Sequence, residues 1–438
     1  MLLNAADKAL WRLALPMIFS NITVPLLGLV DTAVIGHLDS PVYLGGVAVG
    51  ATATSFLFML LLFLRMSTTG LTAQAWGAKD PQRLARALVQ PLALALGAGV
   101  LIILLRLPLI DLALHIVGGS EAVLEQARRF LEIRWLSAPA SLANLVLLGW
   151  LLGVQYARAP VILLVVGNLL NIVLDLWLVM GLRMNVQGAA LATVTAEYAT
   201  LIIGLLMAKR VLTLRGVSLA MLKNAWRGDL RRLLALNRDI MLRSLLLQLC
   251  FGALTVFGAR LGSDIVAVNA VLMTMLTFTA YALDGFAYAV EAHSGQAYGA
   301  RDGSQLLEVW RAACRQSGMV ALAVALIYSL AGQYIIALLT SLPSLQQLAD
   351  RYLIWQTILP VVGVWCYLLD GMFIGAARGA EMRNSMAVAA AGFAVTLLTL
   401  PVLGNHGLWL ALAVFLALRG LSLALIWRRH WRRGTWFS

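Results

Sequence analysis

Twelve apolar runs of about twenty residues, centred near positions 25, 55, 97, 142, 170, 199, 248, 278, 325, 364, 393 and 416, take up most of this 438-residue chain. A run of that length crosses a hydrocarbon core of roughly 30 Å as an α-helix. Within a bilayer every backbone N–H and C=O needs a protein partner, so only helices and closed barrels are available. The runs are continuous and do not alternate apolar with polar, which argues against barrel strands. An all-α integral membrane protein with twelve transmembrane helices is therefore predicted. Composition agrees: 61% of residues are apolar and 12% charged, against roughly 25% charged in soluble chains.

The runs divide into two sets of six. AQAWGAKDPQRL (Ala73 to Leu84) is nearly repeated by GQAYGARDGSQL (Gly295 to Leu306), which sets Gly77 and Gly299 222 positions apart. The same offset carries Phe56 onto Phe278, Gly149 onto Gly371 and Gly153 onto Gly375. Two pseudo-symmetric six-helix lobes follow: an N-terminal lobe over 1–215, a cytoplasmic connector helix over 216–240, and a C-terminal lobe over 241–438. Within the connector, WRGDLRRLLALNRDI reads as an amphipathic helix lying along the membrane surface. A duplicated membrane unit is the mark of an alternating-access transporter, with its site where the repeats meet.

Lys and Arg set the orientation. Lys8, Arg12, Lys79, Arg83, Arg86, Arg158, the basic connector, Arg301, Arg311, Arg315 and the Arg428 to Arg433 tail fall on one side. Arg128, Arg129, Arg134 and Arg260 are among the few on the other. The positive-inside rule then predicts both termini in the cytoplasm. The net charge of +13 is thus a topology signal with an attraction to anionic lipid, not a nucleic-acid footprint. Lys8 and Arg12 lead straight into a full-length span, so that span is expected to remain in place. Cys250, Cys314 and Cys366 lack metal-ligand spacing and read as small packing residues.

A charge at mid-bilayer costs several kcal/mol, so each ionisable group inside a span needs a reason. The candidates are Asp31, Arg65, Asp175, Glu197, Asp284, Glu291 and Asp370. Asp31 follows Pro16 and Pro25, and Pro25 removes a helical hydrogen bond about two turns earlier. It is either a titratable group on a helix able to bend or a solvated residue at the outer interface. In GNLLNIVLDLWLVM, Asn168, Asn171 and Asp175 share one helical face, and Thr193, Thr195 and Glu197 follow in the next span. These oxygens suit a proton relay or Na⁺; the alternative is hydrogen bonding that holds helices together.

The second copy carries a different set. Tyr281, Asp284, Tyr288 and Glu291 fall on one face of the eighth span, and the equivalent positions in the first copy are Met59, Leu62, Met66 and Thr69. Carboxylates and aromatics on one lobe, with adaptable Met59 and Met66 on the other, suit a cavity for a lipophilic cation. Alternatively, the tyrosines belong to an interfacial belt with Glu291 at its polar edge. Asp370, in LLDGMFIG, is a further candidate for the cavity.

Twelve spans in two copies, the VDTAVIGHL segment and the paired QAWGAKD and QAYGARD loops resemble the multidrug and toxic compound extrusion (MATE) family, and within it the bacterial DinF branch. The resemblance implies a bacterial inner-membrane exporter in which organic cations or drugs exchange for H⁺ or Na⁺. It places a cation site on the first and fifth helices: Asp31 matches the first-helix acid, and Asn171 with Asp175 the Asn-x-x-x-Asp pair. Thr193 falls at a sixth-helix hydroxyl, Asn144 at a fourth-span amide, and Pro16 at the proline where the first helix bends. One departure is Gln248, where Na⁺-coupled members of another branch carry glutamate, so coupling through the N-terminal lobe to H⁺ is favoured.

The expected function is a cation-coupled antiporter, driven by H⁺ with Na⁺ as the alternative ion, that exports amphipathic cationic compounds as a monomer and without a cofactor. A flippase for lipid-linked precursors is the runner-up. It would need several cavity-facing Arg or Lys, and only Arg65 stands out deep in a span. An intramembrane enzyme is disfavoured because His37, His115, His293, His406 and His430 are scattered and no nucleophile–base pair or metal cluster is evident.

Overall fold

The structure, a computed structural model, describes residues 3–38, 40–228 and 230–437, with the side chains of 24–32 outside the description. Among the described residues there is no strand. Helix α1 (Ala5–Gly36) is followed by α2 (Pro41–Leu60), α3 (Phe63–Gly77), α4 (Pro81–Leu104) and α5 (Arg106–Val117). Next come α6 (Glu121–Arg134), α7 (Ala138–Gly153), α8 (Arg158–Asp175), α9 (Asn185–Leu214) and the short α10 (Leu219–Asn224). The second half runs α11 (Leu230–Leu261), α12 (Ser263–Gly299), α13 (Gly303–Leu339), α14 (Pro343–Gly375), α15 (Gly379–Thr396), α16 (Leu400–Leu403) and α17 (Asn405–Arg433). Among the described residues, 11 helical stretches are long and apolar enough to cross a membrane. Helix α1, with 32 residues, supplies the length of a twelfth.

Several spans are made of more than one helical segment, the second and fourth in the N-terminal half among them. The second breaks at Leu61–Leu62, where α2 ends and α3 begins, and nothing in the local sequence explains the break. The fourth joins α6 to α7 through a single 3₁₀ turn at Trp135–Ser137. The predicted surface connector is not a separate helix from 230 onward. Residues 230–240 are the first turns of α11, which continues to Leu261, and no Gly or Pro between Leu230 and Phe251 interrupts it. Only α10 stands alone there.

The chain forms two compact units, Phe19–Leu233 and Met1–Ile18 with Leu234–Ser438. In the first, Trp150 is fully buried among Leu84, Leu147 and Leu163. Its indole N–H donates to the Leu84 carbonyl at 3.1 Å, meeting the need of a buried Trp for a partner. In the second, Trp409 donates to Asn269 Oδ1 at 3.0 Å, and Asn269 and Asn405 exchange amide hydrogen bonds at 2.9 Å. Outward-facing Leu330, Leu338 and Val402 are more than four-fifths exposed, a surface suited to lipid tails rather than water.

The 222-residue repeat is present in the backbone. A Cβ built on Gly149 would lie 2.6 Å from the Arg65 carbonyl oxygen, and one on Gly371 would lie 2.6 Å from that of Ala287, the residue 222 positions on. Gly153 likewise approaches Thr69 O, and Gly375 approaches Glu291 O, its counterpart. These glycines permit helix backbones to touch, as small residues do in membrane bundles. In the paired loops, Lys79 and Arg301 both take positive φ (54° and 53°). The following Asp80 and Asp302 cap α4 and α13, accepting from the backbones of Gln82 and Arg83 and of Gln305. Carboxylates favour such N-cap positions because they satisfy otherwise orphaned N–H groups.

Candidate functional site

Each unit buries a polar cluster in an otherwise apolar bundle. In Phe19–Leu233 the cluster centres on α8. Asn171 and Asp175, one helical turn apart, are both buried, Asp175 with 1% of its surface exposed. Asn171 Nδ2 donates to Thr193 Oγ1 on α9 at 3.3 Å, and Thr193 donates to the Ala189 carbonyl. Asn168 reaches Thr23 on α1 at 3.5 Å. The spacing read from the sequence thus turns Asn168 toward α1 and Asn171 toward α9. The Oδ1 atom of Asn171 is buried and accepts no hydrogen bond from the described residues.

Asp175 is the last residue of α8 proper. Directly after it the chain widens into a π-helical segment, Leu176–Gly181, in which Leu182 N donates to Trp177 O, five residues back. Such π segments are frequent at functional sites because they free and re-aim backbone groups. Asp31 and Pro25 belong to α1, but their side chains lie outside the described residues. Pro16 lies in the interior of α1, where its ring leaves the Arg12 carbonyl without its helical donor.

Asn144 meets α9 one helical turn beyond Thr193. Its amide on α7 donates to Glu197 of α9, to Oε2 at 3.0 Å and to the backbone oxygen at 3.1 Å. Arg65 is buried, with Nη1 donating to Thr69 Oγ1 at 3.3 Å. Met59 and Met66 have different settings across the Leu61–Leu62 break: Met59 is 46% exposed and Met66 only 5%.

In the other unit, the α12 stripe keeps Tyr281, Asp284 and Tyr288 half-buried, while Glu291 is buried. Asp370 on α14 sits between two arginines. Arg243 of α11 donates from Nη2 to Asp370 Oδ2 at 2.6 Å, and Arg419 of α17 donates to the same oxygen. The three residues are 7%, 6% and 4% exposed for Asp370, Arg243 and Arg419. Sequence reasoning missed both arginines. The signal was there for Arg419, a lone charge within LALRGLSLAL. Arg243 lies just past the predicted connector, at the tail of a run of basic residues that gives it no distinguishing mark. No group of His, Cys, Asp and Glu among the described residues has the geometry of a metal site.

A family model described as MatE matches residues 16–177 and 240–403. The chain belongs to this family, whose members are multidrug and toxin efflux transporters rather than enzymes. Over 436 residues it is 87% identical to the DNA damage-inducible protein F of Escherichia coli strain K12, covering 100% of this chain and 95% of that one. A probable multidrug resistance protein NorM of Acinetobacter baylyi is 23% identical, with 96% and 94% covered. A solved structure of MATE in the straight conformation superposes with a TM-score of 0.85 at 22% identity, covering 98% of this chain and 96% of that one. One in the bent conformation gives 0.84 at 24%, with the same coverage. The protein is therefore a multi-pass membrane transporter of two pseudo-symmetric six-helix lobes that exports small organic compounds.

Proposed function

We propose that this transporter is a proton-coupled antiporter of the bacterial inner membrane, a monomer with both termini cytoplasmic, that exports amphipathic cationic compounds. The observation that carries the reading is Asp175, buried one helical turn from Asn171, which itself binds Thr193, and followed directly by a π segment. A carboxylate held in an apolar bundle is relieved by taking up a proton. The cost of its charge then links its protonation state to the shape of the helices around it.

Position along the helices supports Asp31 as the second coupling carboxylate. Asn168 of α8 contacts Thr23 of α1. Asp31 lies eight residues beyond Thr23 and Asp175 seven beyond Asn168, rises of about 12 and 10.5 Å at 1.5 Å per residue. The first and fifth spans cross in the same sense, so backbone positions 31 and 175 fall at a similar depth. Asn171 Oδ1 and Thr193 Oγ1 would orient the proton or, in a sodium-driven variant of the same scheme, serve as oxygen ligands.

Asp284, flanked by Tyr281 and Tyr288, is assigned to the substrate cation through charge and cation–π attraction. Asp370 is assigned a structural part, because two guanidinium groups already occupy it. The test is transport in proteoliposomes with pH and Na⁺ gradients imposed separately. Export of a cationic dye should follow the pH gradient and ignore an equal Na⁺ gradient; export that follows only Na⁺ would overturn proton coupling.

A further inference from the structure

A second site, unconnected with coupling, stands where α4 meets the connector. The connector backbone is docked on α4 by three side chains. Gln82 donates to Met221 O, Gln90 to Ala225 O and Trp226 O, and Arg86 Nε to Arg227 O at 3.0 Å. Gly228 permits that docking: it takes φ +138°, and a Cβ there would fall 2.4 Å from Arg86 Nε. The result is a small pocket of about 70 Å³, lined by Arg83, Arg86, Gln90 and Arg232 on its polar side and by Leu71 and Leu233 on its apolar side.

Charge in this pocket is unbalanced. The charges of Arg232, Asp80 and Arg86 all reach Arg83, so among the described residues three guanidinium groups face one carboxylate. That carboxylate is also engaged as the cap of α4. Arg232 donates only to the neutral Gln74, at 3.4 Å, and among the described residues none of the three arginines forms an ion pair. Converging guanidinium forks match the oxygens of a phosphate group. The volume admits such a group, but falls well short of the roughly 300–1,000 Å³ of a drug-sized pocket.

We propose that Arg83, Arg86 and Arg232 bind a phosphate group, bridging α4 and the first turn of α11. The apolar side of the pocket, together with exposed Trp226 and Leu219 on the connector, suits the phosphate of an anionic lipid headgroup whose glycerol end rests on Leu71 and Leu233. Free phosphate shares the chemistry, and the experiment separates the two sources.

Short-chain phosphatidylglycerol, phosphatidylcholine and inorganic phosphate are titrated calorimetrically into the full-length protein in uncharged detergent. The variant Arg83→Gln/Arg232→Gln removes two charges and spares Arg86, which holds the connector. At about a factor of five per arginine near a membrane surface, phosphatidylglycerol affinity should fall roughly twenty-fivefold. Arg83→Lys/Arg232→Lys, which keeps charge but loses the forks, should lie between. Arg128→Gln/Arg129→Gln, at two exposed arginines of α6, should leave affinity unchanged. Binding of inorganic phosphate with the same loss in the glutamine pair identifies a soluble phosphate as the occupant, and its absence identifies the lipid. Phosphatidylglycerol affinity unchanged in the glutamine pair, or reduced equally in the α6 control, would overturn the site.

Discussion

Replacing Asp370 by asparagine should destabilise the protein more than removing either of its arginines. Both guanidinium groups donate to the same carboxylate oxygen, and all three side chains are buried. With asparagine at 370, two positive charges remain in an apolar bundle with no carboxylate between them. Breaking a buried pair by deleting one partner costs about 3–5 kcal/mol, mostly from the charge left behind, and here two charges are left. Arg243→Gln removes one donor but leaves Arg419 paired with Asp370 in a neutral couple. Its cost should be nearer the ~1.5–3 kcal/mol of one charge-assisted hydrogen bond. Unfolding in mixed micelles, titrated with a denaturing detergent and followed by tryptophan fluorescence, gives the comparison. Asp370→Asn within about 1 kcal/mol of wild type, or milder than both arginine variants, would refute the reasoning, because the carboxylate would not be balancing those charges.

Two further outcomes test packing and substrate contact. Gly285→Ala places a methyl group 2.2 Å from Ile18 Cγ1 and 3.1 Å from the Ala14 carbonyl of α1, so it should cost about 1–3 kcal/mol by overpacking. Gly97→Ala, which meets nothing within 4 Å, should be neutral or slightly stabilising in the same unfolding assay. Asp284→Asn should weaken binding of a cationic compound more than of its neutral analogue. At an effective dielectric near 20, an ion pair at about 4 Å is worth roughly 4 kcal/mol before desolvation, and only the cation loses it. Equal losses in direct binding measurements would remove Asp284 from the substrate site.

Periodicity and repetition carried most of the architecture. Long apolar runs leave the backbone no choice but helix, and the 222-residue offset reappears in the Gly149 and Gly371 contacts and in the caps at Asp80 and Asp302. The Asn171–Thr193 contact was legible because one helical face and the next span restrict where those side chains can go. Pairings set by packing between distant helices were not. Arg243 and Asp370 are 127 positions apart, and which charge on α11 meets which on α14 depends on helix rotation, to which an apolar sequence is nearly indifferent. The partner of Asn144, Glu197, was likewise a choice made by the packing of α7 on α9. The break at Leu61–Leu62 and the π segment after Asp175 leave no Gly or Pro at the site of irregularity before Gly181, so sequence gives them no marker.

In the proposed cycle, a proton held at Asp175 is exchanged for substrate. The most direct measurement is proton release, read with a pH-sensitive dye in weakly buffered detergent solution as a cationic substrate is added to the purified protein. Wild type should release protons in proportion to bound substrate. Asp175→Asn should bind the same substrate and release none from that site. A variant that binds and still releases protons as wild type does would contradict Asp175 as a coupling carboxylate.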